Sequence, residues 1–170
     1  MKLRLTKPAF LVGLAALALV LGSCQNHTKT NVEKIDDLRR QVQADAQTLH
    51  ELETRDYAAL AKDFRTCDSL LQYMSQEQID KSFETLQLVQ AYLEQFKVTQ
   101  PDMQAEMDST LLQLDRLKAD AESHYLSDSL VAVYIDSEAK YVDKLNNQVR
   151  YFQDRFGKCQ KDIAALKKQR

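Results

Sequence analysis

Glycine, proline and tryptophan are nearly missing from this chain. Its 170 residues hold three Gly, two Pro and no Trp. Gly13, Gly22 and Pro8 fall within the first 23 residues, so only Gly157 and Pro101 remain beyond them. Hairpin turns, positive-φ corners and phosphate-cradling loops all draw on Gly. A body with a single Gly builds few of these, and long helices joined by short links are what remains. Excess positive charge is missing too. With the three basic residues of the first 23 set aside, 20 Lys plus Arg face 25 Asp plus Glu, a net charge near −5. Nucleic acid needs concentrated positive charge, so it is excluded as a partner class.

What is present begins at the amino terminus. Lys2, Arg4 and Lys7 form a basic opening, and Ala9 to Leu21 form an apolar run interrupted only by Gly13. The run falls short of the roughly 20 apolar residues that a membrane-spanning helix needs. Small residues Gly22 and Ser23 then precede Cys24. This order is that of an export signal. Leu21-Gly22-Ser23-Cys24 resembles the lipobox of bacterial lipoproteins. The resemblance implies a diacylglyceryl group on the Cys24 thiol, cleavage between Ser23 and Cys24, and acylation of the new amino terminus, commonly by palmitate. One acyl chain binds a bilayer only marginally, whereas two or three hold firmly at about 0.8 kcal/mol per buried methylene. The organisation expected is a signal peptide over 1–23, a lipidated tether over 24–30 and a helical body over 31–170. Gln25 follows the cysteine where Asp would favour inner-membrane retention. By that rule of enteric bacteria the protein goes to the outer membrane of a Gram-negative cell.

Beyond the tether the apolar residues recur at helical spacing. A first helix is expected from Val32 to Met74, capped by Thr30 or Asn31. Its stripe is Ile35, Leu38, Val42, Leu49 and Leu52, then Tyr57, Leu60, Phe64, Cys67, Leu71 and Met74. Between Leu52 and Tyr57 the stripe slips by one residue, which reads as a change of neighbours. Ser75-Gln76-Glu77-Gln78 is a capping-box pattern that starts a second helix over 76–98. Pro101 disfavours helical geometry at Gln100 and is expected to end that run and open a third helix over 102–125. Ser127 caps a fourth, which carries an alternating three-and-four repeat from Val142 to Leu166.

The fold expected is therefore all-α, an antiparallel helical bundle. Two long outer helices would form a coiled-coil stalk from 32–52 and 148–168, with a short central helical hairpin between them. That arrangement sends the fourth helix back to the membrane. It places Cys67 and Cys159 on the order of 35 Å apart by helical rise. A disulfide needs Cα atoms within about 7 Å, so both are expected as free, packed thiols.

No residue pattern points to catalysis. There is no Glu-x-x-His pair, no His-Glu-x-x-His and no Gly-x-Ser-x-Gly. No metal site, catalytic residue or cofactor is expected. His27 reads as a linker residue and His50 as isolated. His124, with Asp120 and Asp128 four residues to either side, reads as solvated or locally bonded. Tyr125, Tyr134, Tyr141 and Tyr151 read as tyrosines bordering a core, with a carbohydrate or peptide surface as the sharper reading. Lys158, Lys161, Lys167, Lys168 and Arg170 complement the last helix dipole, with contact to anionic lipid as the second reading.

The function expected is that of a lipid-anchored, extracytoplasmic lipoprotein of the cell envelope. It would act as a non-enzymatic structural or protein-interaction module. Its partners would be the membrane through Cys24, an envelope protein not identified by the sequence, and its own copies through the helices. The alternative is a binding protein for a hydrophobic or peptide ligand held between the helices near Met103 and Met107.

Overall fold

The computed structural model describes residues 8–73 and 75–168, with side chains from Lys29 onward except at Lys81. It is all-α, with no strand among the described residues. Helix α1 runs Pro8–Glu51, a π-helical turn spans Leu52–Tyr57, and α2 runs Ala58–Leu70 before a 3-10 turn at Leu71–Tyr73. Helix α3 runs Gln76–Glu122 and α4 runs Asp128–Lys168. The first four segments form one rod, so the body is three rods side by side.

Each rod presents one heptad stripe to the common core. In α4 the buried positions are Val131, Ile135, Glu138, Val142, Leu145, Val149, Phe152, Phe156, Cys159, Ile163 and Leu166, alternating four and three throughout. In α3 the stripe passes from Ser82 through Leu86, Val89, Leu93 and Phe96 to Met103, Met107, Leu114, Leu117 and Ala121. Such a repeat keeps one face of the helix on its neighbours.

The interhelical contacts fix the directions. Lys118 reaches Asp36 at 2.8 Å and Gln100 reaches Glu53 at 3.3 Å, so α3 is antiparallel to the first rod. Asn31 donates to the Asp128 carbonyl, Asn146 to Asp45, and Lys167 pairs with Asp63. These pairs step in the same direction, so α4 runs parallel to the first rod. The near end of the bundle holds Asn31, Glu122 and Asp128. The far end holds Tyr73, Gln76 and Lys168.

This corrects the expected short central hairpin and stalk. Pro101 lies inside α3, which continues through it. The reason is phase: Phe96, half-buried Gln100 and Met103 keep the four-three spacing across the proline. Lys97, whose carbonyl loses the missing N–H, and Pro101 itself are both exposed, so water can take that carbonyl. Packing of the stripe on both sides outweighs the local penalty. With α3 unbroken, the segments 32–52 and 148–168 lie toward opposite ends and pair in no stalk.

Other differences are local. Residues 24–30 continue α1, so Asn31 caps nothing; it is buried and bonded to α4. The slip after Leu52 is the π turn, which accommodates one extra residue so that Tyr57, Leu60 and Cys67 still face the core. The capping box at Ser75 and Gln78 is formed as expected. Helix α3 ends at Glu122 in a Schellman motif: His124 N–H donates to the Ala121 carbonyl and Tyr125 N–H to that of Asp120. His124 takes the left-handed conformation there, at φ 53°, where Gly is usual.

Cys67 and Cys159 are free and buried. Their separation is smaller than expected. Cys67 lines the same small interior space as Leu166, seven residues or about 10 Å of rise from Cys159. Leu21, Gly22, Ser23 and Cys24 lie in a stretch of α1 whose side chains fall outside the described residues, as does His27. Met74 and Arg170 fall outside them too.

Candidate interaction surface

A surface groove runs between α3 and α4. It is lined in succession by three clefts of about 260, 370 and 650 Å³ from the near end toward the far half. The first two share Gln113 and Glu138, and the second and third share Lys144. Tyr134, Tyr141 and Tyr151 stand along it, one per cleft. The heptad geometry places them there, because each stands beside a core position of α4 rather than on it. Tyr134 and Tyr141 are exposed, whereas Tyr151 is half-buried and held edge-on against Phe152 at 5.2 Å.

Glu138 lies in the floor of the first two clefts. It occupies a core position and is 6% exposed. Gln113 Nε2 donates to it at 2.6 Å. Burial pushes its carboxyl pKa up, and the Gln113 hydrogen bond partly opposes that. Asp45, on α1, is a second buried carboxylate at 7% exposure. Burial raises its pKa against the hydrogen bond from Asn146 and the charge of Arg150, and its Oδ2 has no hydrogen-bond partner. The two acids do not form a pair. Asp45 is level with Asn146, eight residues of α4 from Glu138, about 12 Å by rise. Glycosidase carboxylates stand about 5–9.5 Å apart.

Both acids escaped the sequence reading, yet a signal was present. Each fills a gap of seven in an otherwise apolar stripe, Val42 to Leu49 and Ile135 to Val142. An acid in such a gap is an acid in the core.

The remaining candidates are placed as follows. His50 is exposed, and His124 serves the helix terminus. Among the described residues no group of three His, Cys, Asp or Glu stands close enough to hold a metal ion. Among them, too, no helix is long and apolar enough to cross a membrane. Met103 and Met107 are packed in the core at 2% and 0% exposure. The lysines of the α4 terminus lie at the far end, where Lys167 meets Asp63 at 2.6 Å. The expected return of that terminus to the end that holds Asn31 does not occur, because α4 runs away from it.

Where the far half begins the core becomes aromatic, and beyond the rings Leu60, Cys67, Leu86, Cys159 and Ile163 continue it. Phe96 packs against Tyr57, Phe152 and Phe156 with centroids 5.7, 5.0 and 4.9 Å away. The Arg155 guanidinium lies 5.1 Å from both the Tyr92 and Tyr151 rings. These tyrosines are committed to packing, which leaves Tyr134 and Tyr141 as the ones available along the groove. Comparison with protein-family models, with curated proteins and with solved structures finds no match for the chain.

Proposed function

We propose that the protein is a bacterial lipoprotein, lipidated at Cys24 after cleavage beyond Ser23, that holds a three-helix rod at the extracytoplasmic face of the cell envelope. It acts there as a non-enzymatic interaction module, and the α3/α4 groove with Tyr134 and Tyr141 is its contact surface for an envelope protein or a second copy. The observation that carries this reading is the seven-residue interval between Cys24 of the lipobox and Asn31, the first buried residue among the described side chains. That interval makes the anchor and the rod one device. The rod extends about 60 Å by the rise of α4. By the Gln25 rule the membrane is the outer one of a Gram-negative cell. What favours a module over a carrier is the packing of Met103 and Met107, which fills the region where a ligand would sit.

Two measurements test the proposal. Cys24→Ser should abolish palmitate incorporation and shift the protein from the detergent phase to the aqueous phase. A photo-crosslinking residue at Tyr141, in intact cells, should capture a defined protein, while one at exposed Gln90 should not. Unchanged detergent partition for Cys24→Ser would remove the anchor. A small molecule co-purifying with the rod, with no protein captured, would favour the carrier.

A further inference from the structure

We propose that the loop joining α3 to α4 rests on the bilayer that holds Cys24, with Tyr125 seated in the headgroup interface. This inference rests on the lipidation proposed above and adds the surface that meets the membrane.

Three observations lead to it. First, reach: Asn31 is buried at the near end and bonded to the Asp128 carbonyl at 3.1 Å. Asn31 is seven residues from Cys24, about 10 Å as helix and at most about 25 Å fully extended. The loop of residues 123–127 is therefore tied within that distance of the lipid. Second, presentation: in a Schellman motif the residue at the position of Tyr125 usually packs back on the third residue from the helix end. Here that residue is Asp120, and the fourth, the alternative partner, is Ala119 with only a methyl group to offer, so Tyr125 is 80% exposed. The backbone hydrogen bonds of His124 and Tyr125 fix the main chain of the loop on which the exposed ring stands. Leu130, Val133 and Tyr134 continue an exposed apolar surface along the first two turns of α4. Third, charge: no Lys or Arg occurs between Lys118 and Lys140, whereas Asp120, Glu122, Asp128, Asp136 and the buried Glu138 do. The loop itself therefore offers anionic headgroups no positive charge, and Lys29 on α1 is paired with Glu33 at 4.0 Å. An amphipathic ring at the interface, with its hydroxyl in the headgroup layer, is the mode left.

The chain contains no Trp, so a single Trp reports its own position. Tyr125→Trp is compared with Tyr73→Trp, an equally exposed site at the far end. Both lipidated proteins are reconstituted in phosphatidylcholine vesicles carrying brominated acyl chains. Trp at 125 should be quenched about twofold or more and blue-shifted, Trp at 73 should not, and added phosphatidylglycerol should not increase the effect. Equal, weak quenching at both sites in protein that still floats with the vesicles would overturn this inference and leave lipidation standing. Protein that fails to float would overturn both. Quenching that appears only with anionic lipid would overturn the aromatic mode.

Discussion

The two halves of the rod solve the same packing problem by different means. In the near half the core is aliphatic and thioether, from Ile35, Val42, Met107, Leu114, Val131 and Val142, and all three helices are regular there. Direction and register are marked by polar groups. Asp36 meets Lys118, Arg39 meets Asp115 at 2.7 Å, and two buried acids each take an amide from another helix. The Lys118 ammonium holds the Asp36 carboxyl below its usual range. In the far half the π turn lies level with Pro101, since Glu53 meets Gln100 and Tyr57 meets Phe96. Rings fill the space at that level. The comparison teaches that a heptad bundle tolerates backbone irregularity where large side chains can span it. Where small aliphatics pack, it relies on exact phase and uses charge to choose among neighbours.

Deletion tests this contrast most sharply. Removing Thr54 from the π turn changes the Leu52-to-Tyr57 spacing from five to four, which restores an ordinary heptad. The folded rod should survive with a stability change of about 1 kcal/mol or less. Removing Ala44 from the regular half puts Leu49 and Leu52 out of phase, and folding should fail in denaturant titration. Equal tolerance of the two deletions would erase the distinction.

Pro101→Ala comes next. A proline in a helix interior costs about 3 kcal/mol relative to good helix formers. Because α3 is continuous through Pro101, the alanine variant should gain about 2 kcal/mol, read from the denaturation midpoint. A loss would mean that the chain uses the proline as a turn.

Glu138→Leu addresses the near half. Gln113 is exposed and loses little with its partner. Replacing the buried acid by a matching apolar residue should stabilise by about 1–2 kcal/mol at pH 7. The sign with pH follows from linkage. The folded state holds this proton more tightly than the unfolded chain, because burial raises its pKa. Wild-type stability from this group is thus full below the unfolded carboxylate value and is lost as pH rises through the folded value. The advantage of the leucine variant should shrink in acid. If the gain comes with a loss of antiparallel α3/α4 pairing in crosslinking, the acid sets register as well.

The smallest effect of a point substitution is expected at the near-end loop. His124→Gly relieves a left-handed residue at a Schellman position and should add about 1 kcal/mol. No change in thermal midpoint would mean that the loop conformation differs from the one described.

Much of this was readable from residues alone. The capping box at Ser75, the stripe from Val142 to Leu166 and the one-residue slip before Tyr57 each have a local physical signature, and each has a counterpart in the structure. The slip was visible but its meaning was not, because a change of neighbours and a π turn leave the same mark. Pro101 misled because its local preference is strong and its opponent is distributed. Only the continuity of Phe96, Gln100 and Met103 with the stripes of two other helices reveals the override. That single misreading propagated: a broken α3 gives four helices, and four helices send the last one home.

Poverty in Gly and Pro and the period of the apolar residues determined by themselves that the body is helical and that each helix buries one stripe, since both are properties of a single helix. The direction of α4, the end at which its lysines emerge and the closeness of the α3/α4 loop to Cys24 were decided only by the assembled rod. They depend on how many helices there are. That number turned on whether packing summed over a whole helix exceeds the cost of one proline within it.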